Sequence, residues 1–148
     1  MPCSRTGTVA VVAIALVVAG AAFAPRGGAG EAPDRSVDRG RADAVCSRAI
    51  GATSHLRRPE NRSESIAVGR ELARLLRWTA SELRSVGSGD LAWAHQRWGA
   101  AVDDVRQALR SGEGSARAGA TELVARREAA AAARALGAED CVRLAGGA

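Results

Sequence analysis

The stretch Asp90–Leu109, DLAWAHQRWGAAVDDVRQAL, decides the fold of this chain. Its apolar residues recur at alternating steps of three and four, which is the period of one face of an α-helix. The face comprises Leu91, Ala94, Trp98, Ala101, Val105 and Ala108, with Val102 and Leu109 beside it. A seam with this spacing is typical of a helix that packs against other helices. We predict an amphipathic helix here, capped by Asp90 and ended by Gly112-Glu113-Gly114.

Two periodic segments precede this helix. The first is predicted to be a helix that ends at Pro59, because proline cannot continue a helix. Its apolar face comprises Ala42, Val45, Cys46, Ala49, Ile50, Thr53 and Leu56. The second begins near Arg62, where Asn61 and Glu64 form a capping-box pattern, and Gly87-Ser88-Gly89 ends it. Its predicted buried stripe is Ile66, Gly69, Ala73, Leu76, Ala80 and Leu83.

A fourth helix is predicted over Ser115–Leu136, with Gly137 as its end. Its face is weakly defined and comprises Leu123, Val124, Ala130, Ala131 and Leu136. Cys141 is then expected in a short turn after the last helix. Because short connections force neighbouring helices to run antiparallel, the sequence predicts an antiparallel four-helix bundle.

The composition agrees with an all-α fold. Of 148 residues, 34 are Ala, one is Phe and none is Tyr. Ala has the highest helix propensity and is depleted in strands, so β-sandwiches, barrels and large α/β folds are excluded.

The first 24 residues are predicted not to belong to the bundle. Val9–Ala24 is uncharged, follows Arg5 and closes on small residues, as in a secretory signal cleaved after Ala21, after Ala24 or later within Gly27–Gly30. The longer uncharged stretch Thr6–Ala24, nineteen residues, also suffices for an uncleaved membrane anchor. We therefore expect a signal or anchor over residues 1–24, a flexible linker over 25–33 and the helical domain over 34–148. In both cases the domain is exported and is secreted or held outside the cytoplasm.

The charge balance does not indicate a nucleic-acid-binding protein. The formal charge is +5, and all 21 basic residues are Arg. Removing Arg5 and Arg26 leaves 19 Arg against 16 acids, a net charge of +3. We interpret the pairs Arg57-Arg58 and Arg126-Arg127 as solvated surface, and export argues against nucleic acid as a partner.

Two cysteines remain if the signal is removed. Cys46 lies on the first helix and Cys141 follows the last, in a compartment where disulfides persist. We predict that they pair and close the bundle; two free thiols or intermolecular bridges are the alternative. A bridge that closes such a long loop stabilises a fold by about 4 to 5 kcal/mol on the chain-entropy estimate.

The ends of the domain carry a resemblance. Ala42-Asp43-Ala44-Val45-Cys46 and Ala133–Cys141, ARALGAEDC, resemble a loose group of actinobacterial exported helical proteins. These begin with an A-x-x-[IV]-C helix, end with A-x-x-L-G-x-x-x-C and carry an N-terminal signal or anchor. The similarity covers Arg41–Cys141 in outline. It implies a disulfide-closed helical domain outside the membrane and no particular activity.

Catalytic and metal-binding patterns are missing from the sequence. His55 and His95 have no metal-ligand spacing with Cys, Asp or Glu, and no nucleophile motif surrounds any serine. His95 is expected to be a structural histidine beside the buried seam. We expect no enzyme, no cofactor and no metal site.

The tryptophans are the best candidates for a function. Trp98 belongs to the core seam, whereas Trp78 and Trp93 lie off their buried stripes. Arg97 follows Trp93 by one turn and is placed for a cation–π pair. In a hairpin of the second and third helices, Trp93 is expected near the level of Glu82, about one turn from Trp78. Trp78, Trp93 and Arg97 are either an interaction surface or side chains half-buried against neighbouring helices.

Two functions remain open. The leading hypothesis is a binding or structural module of the cell envelope, whose partner is an envelope protein or a second copy, with membrane contact only through the N-terminal segment. The alternative is a carrier of a small apolar or haem-like ligand in the bundle core. A cavity lined by Trp98, Leu76 and Val105 with His95 pointing inward would favour the carrier. A filled core with Trp78 and Trp93 outside would favour the binding module.

Overall fold

The computed structural model describes residues 35–146, which lie within the second of two units of the chain, residues 1–30 and 31–148. The predicted signal or anchor over 1–24 and the linker over 25–33 lie outside the described residues. Within those residues the chain forms five helices, α1 Arg35–Thr53, α2 Arg62–Ser85, α3 Gly89–Ser111, α4 Ser115–Leu136 and α5 Glu139–Leu144. None of these helices is both long and apolar enough to cross a membrane.

The all-α prediction is confirmed, but the number of helices was wrong. Cys141 lies in α5 rather than in a turn, and α5 is too short for helical periodicity to reveal. The N-terminus of α5 is stabilised by a residue far away in the sequence. The Asp43 carboxylate on α1 accepts a 2.8 Å hydrogen bond from the Asp140 backbone N–H. This contact spans 97 residues and has no local signature in the sequence.

The helix ends follow the turn residues with two corrections. Asn61 caps α2 as predicted, and its side chain accepts a 2.9 Å hydrogen bond from the Glu64 backbone N–H. Ser88 rather than Asp90 is the N-cap residue of α3. Asp90 lies inside the first turn, where its carboxylate interacts favourably with the partial positive charge of the helix N-terminus. The first helix ends at Thr53, before Pro59, and the Thr53 hydroxyl donates to the Ile50 carbonyl.

Helices α2, α3 and α4 run antiparallel to their neighbours. Arg84 on α2 donates a 2.8 Å hydrogen bond to Gln96 on α3. About two turns further from the connecting loop, Arg77 on α2 forms an ion pair with Asp103 on α3. Gly99 lies where α2 and α3 approach closely, since a Cβ at this position would stand 3.3 Å from the Cβ of Leu76. The most extensive contacts join α2 to α3 and then α3 to α4.

Helix α1 does not pack alongside α4 in the way that a four-helix bundle predicts. Its main neighbours are α5 and, to a smaller extent, α2. Cys46 on α1 and Cys141 on α5 are both fully buried, and their sulfurs lie 2.08 Å apart. The predicted pairing therefore agrees with the structure, but it joins α1 to the short fifth helix.

The core is built mainly from alanines, with a few larger side chains such as Leu76, Leu83 and Trp98. One cluster lies between α2, α3 and α4, and the other joins α1 and α5 to the adjoining ends of α2, α3 and α4. The face predicted for the fourth helix was partly wrong, because Val124 is 53% exposed. The buried residues of α4 are Ala125, Ala129, Ala130 and Ala133. Alanines let α4 approach its neighbours closely, and the larger Val124 is left outside.

Candidate functional site

Trp93 is the most exposed of the large apolar side chains among the described residues, at 57%. It lies in the second turn of α3, on the side of that helix that faces α4. The burial of its neighbours Ala92 and Ala94 explains this exposure, because positions next to one another on a helix point in different directions. Trp93 therefore stands at the rim of the α3–α4 contact.

The Arg97 guanidinium lies over one face of the Trp93 ring. Its guanidinium carbon lies 4.8 Å from the centroid of the ring, which confirms the cation–π geometry expected from their spacing. Arg97 Nη1 also lies 2.9 Å from Glu128 Oε2 on α4. The Arg97 guanidinium thus contacts both the Trp93 ring and the Glu128 carboxylate. These two contacts restrict the orientation of Trp93 and link α3 to α4. We call Trp93, Arg97 and Glu128 the Trp93 surface.

A cleft adjoins the Trp93 surface. It has a volume of about 360 Å³ and is lined by Asp90, Trp93, Ala94, Arg97, Glu128 and Ala132. A neighbouring cleft of about 350 Å³ extends past the turn between α2 and α3 to Leu136 and shares Asp90 and Ala132 as lining residues. The arrangement offers an aromatic face, an apolar floor and flanking charges, which suit the contact of a side chain from another molecule.

Trp78 has a similar set of charged neighbours at a different place. It is 38% exposed, and Arg48 of α1 lies 5.9 Å from the centroid of its ring. Arg48 in turn lies 3.5 Å from Glu82. Trp78 is thus partly covered from α1, whereas Trp93 is contacted from α4.

The hairpin register differs from the predicted one. The Arg84–Gln96 and Arg77–Asp103 contacts place Trp93 level with Gly87, not with Glu82. Trp78 is then level with Val102, nine positions from Trp93, or about 14 Å along the hairpin. We therefore treat the two tryptophans as separate positions.

Trp98 and His95 lie in the core. Trp98 is 4% exposed, and its indole N–H donates a 2.7 Å hydrogen bond to Glu122. His95 is fully buried; its Nδ1–H donates to the Leu91 carbonyl at 3.0 Å, and its Nε2 has no hydrogen-bond partner among the described residues. Burial lowers the pKa of His95 by more than the Leu91 hydrogen bond raises it, which favours a neutral imidazole.

The sequence did not predict the two acids that contact this part of α3. Glu122 accepts a hydrogen bond from Trp98, and Glu128 pairs with Arg97, which contacts Trp93. Glu122 and Glu128 lie on α4, 24 and 31 positions from Trp98 and Arg97. Their role depends on how α4 packs on α3, and the weak periodicity of α4 gave no sign of it. In residues 35–146, no group of three or more His, Cys, Asp or Glu side chains is placed to hold a metal ion.

Comparison of the chain with protein-family models, with curated proteins and with solved structures found no match. The resemblance to actinobacterial exported helical proteins therefore stays a prediction.

Proposed function

We propose that this protein is an exported helical module of the cell envelope that binds a partner or a second copy through the Trp93 surface, without enzymatic activity. The observation that carries the proposal is Trp93 itself, which is 57% exposed while Arg97 and Glu128 hold it in place. Tryptophan and arginine are the side chains most enriched among those that dominate binding energy at protein interfaces. A ring that is already oriented also loses little conformational entropy on binding.

The proposed location rests on the sequence of the N-terminal segment and on the cysteines. An uncharged run over Val9–Ala24 supports export, with either a cleaved signal or an uncleaved anchor. The bonding distance between Cys46 and Cys141 is in keeping with an oxidising compartment. Membrane contact is proposed only through the N-terminal segment, and nucleic acid is not proposed as a partner.

The first prediction concerns Trp93→Ala. Truncation should leave the free energy of unfolding within about 1 kcal/mol of wild type, because an exposed side chain contributes little to the core. Association should weaken by about thirtyfold or more, the equivalent of about 2 kcal/mol. Sedimentation equilibrium measures self-association, and quantitative capture from envelope fractions by the purified protein measures binding to a partner.

Val37→Ala is the control, because Val37 is 45% exposed and lies on α1, whereas the Trp93 surface is formed by α3 and α4. Its association should match wild type. A loss of several kcal/mol of stability in Trp93→Ala would show that the ring is a packing residue. Unchanged association in Trp93→Ala would likewise contradict the proposal.

One observation favours the alternative, a carrier of a haem-like ligand. The unpartnered Nε2 of His95 is a buried lone pair of the kind that ligates iron, and Trp98 lies beside it with ring centroids 6.0 Å apart. Titration with haemin distinguishes the two functions. A saturable shift of the Soret band that disappears in His95→Ala would favour the carrier over the binding module.

A further inference from the structure

Three arginines line a cleft between the C-terminal half of α4 and the end of α5. The cleft has a volume of about 300 Å³. Leu123, Arg127, Ala130 and Arg134 recur at steps of four, three and four, so they share one face of α4. Arg126 flanks this face, with Nη1 3.7 Å from the point where a Cβ at Gly146 would stand. Ala130 and Ala145, each 5% exposed, form part of an apolar floor.

Within the described part of the chain, two of the three guanidinium groups have no counter-ion. The side chains of Arg127 and Arg134 are exposed and make neither an ion pair nor a hydrogen bond within residues 35–146. Arg126 lies 4.0 Å from Glu122, whose carboxylate also accepts the Trp98 indole N–H. The adjacent Glu128 forms an ion pair with Arg97, although its Oε2 accepts no hydrogen bond within the described residues. The nearby acids are therefore already engaged, and the cleft carries an excess of positive charge.

The helix dipole does not account for this cluster. A cation in the last turn of α4 is stabilised by the partial negative charge of the helix C-terminus, which explains Arg134. The effect falls off within that turn, and Arg127 lies more than two turns before Leu136. An exposed face alone would explain single arginines, but not their convergence around a cleft with a buried apolar floor.

We propose that this cleft binds a phosphate group, as a monoester or a diester. The Cα atoms of Arg127 and Arg134 are about 10.5 Å apart on an α-helix, so their long side chains can meet above Ala130. The two oxygens of a carboxylate lie in one plane, whereas the non-bridging oxygens of a phosphate project tetrahedrally and can accept hydrogen bonds from two guanidinium groups on different sides. The apolar floor accommodates the organic part of the ligand. This site is independent of the Trp93 surface and of the function proposed for it.

The test is an NMR titration of the purified full chain with inorganic phosphate and, separately, with glycerophosphoglycerol, a lipid headgroup without acyl chains. We expect saturable shifts centred on the Arg127 and Arg134 side-chain N–H groups and the Ala130 amide. Arg127→Gln/Arg134→Gln should weaken binding about tenfold or more, because the charge-assisted forks are lost. Arg57→Gln/Arg58→Gln removes the same charge from an exposed loop and should change the affinity less than about twofold.

The two probes separate the sources of the phosphate. Tighter binding of inorganic phosphate, abolished by the double variant, assigns the site to a free phosphate or a monoester. Tighter binding of glycerophosphoglycerol with the same loss assigns it to a lipid headgroup. The proposal is overturned if neither probe saturates, if Arg127→Gln/Arg134→Gln binds like wild type, or if the loop control loses as much affinity. A spectrum of each variant without ligand confirms that the fold is retained.

Discussion

The imidazole of His95 has one satisfied nitrogen and one unsatisfied nitrogen in the core. Nδ1–H donates to Leu91, and a second proton could be added only at the buried Nε2, where no partner among the described residues receives it. Burial therefore lowers the pKa of His95 below its ordinary value of 6.5. The unfolded chain binds the proton more readily than the folded protein does, so acid favours unfolding.

We predict that stability is full above pH 6.5 and falls as the pH is lowered from there towards the pKa of folded His95. The slope approaches about 1.4 kcal/mol per pH unit, the limit for one proton. Urea unfolding between pH 5 and about 8 measures it. His95→Leu should flatten this dependence, and His55→Gln, which changes an exposed histidine, is the control. An equal slope in His95→Leu and wild type would contradict the prediction.

A second acid-sensitive residue acts in a lower range. Partial burial by itself raises the pKa of Asp103, but hydrogen bonds and charges from Arg77 and Arg106 outweigh it and hold the pKa below 3.8. The stability that Asp103 contributes is therefore present above pH 3.8 and is lost only at more acidic pH. Measurements above about pH 5 thus separate the contribution of His95 from that of Asp103.

At the scale of elements, the α2–α3 pair depends on the missing side chain of Gly99. A Cβ there would lie 3.3 Å from Leu76 and 3.6 Å from the Ala73 carbonyl oxygen. We predict that Gly99→Leu forces the helices apart and lowers the free energy of unfolding by about 1 to 3 kcal/mol or more. Urea unfolding followed by circular dichroism measures the change.

The matched change is Gly40→Leu on α1, where a Cβ would meet nothing within 4 Å. Because Leu is a better helix former than Gly, this variant should be more stable by about 0.5 to 1 kcal/mol. If both variants shifted stability equally, the close approach at Gly99 would have no energetic role.

At the scale of the whole molecule, the Cys46–Cys141 pair attaches α1 to the rest of the fold. The two residues are separated by 95 positions, and α1 otherwise packs mainly on the short α5 and on α2. We predict that Cys46→Ala/Cys141→Ala lowers the free energy of unfolding by about 2 to 5 kcal/mol, because closure of a long loop no longer constrains the unfolded chain. Hydrogen exchange should increase first in α1 and last in α2 and α3.

Mass spectrometry of non-reduced peptides should contain the Cys46–Cys141 link. The reduced wild-type protein is the internal control and should match the double variant in stability. Labelling of both thiols in freshly purified, unreduced protein would contradict the bridge.

Most helix boundaries follow from local chemistry and were predictable. Asn61 with Glu64 marks the start of α2, and Gly112 and Gly137 end α3 and α4 in the left-handed conformation that glycine adopts without strain. The Trp93–Arg97 contact was also predictable, because residues four apart are neighbours on a helix. In each case the relevant groups lie within one turn of the chain.

The amino-acid sequence by itself determined the helical class, the main breaks and the position of Trp93 off the core seam, because propensity, capping and periodicity act over a few residues. Only the tertiary structure decided that α5 forms against Asp43, that Glu128 pairs with Arg97 and that the arginines of α4 line a cleft with the residues that follow α5. These partners lie on separate helices, and in α4 a run of alanines makes several faces nearly equivalent. Packing against larger residues selects one of those faces, so the selection leaves no trace in local sequence.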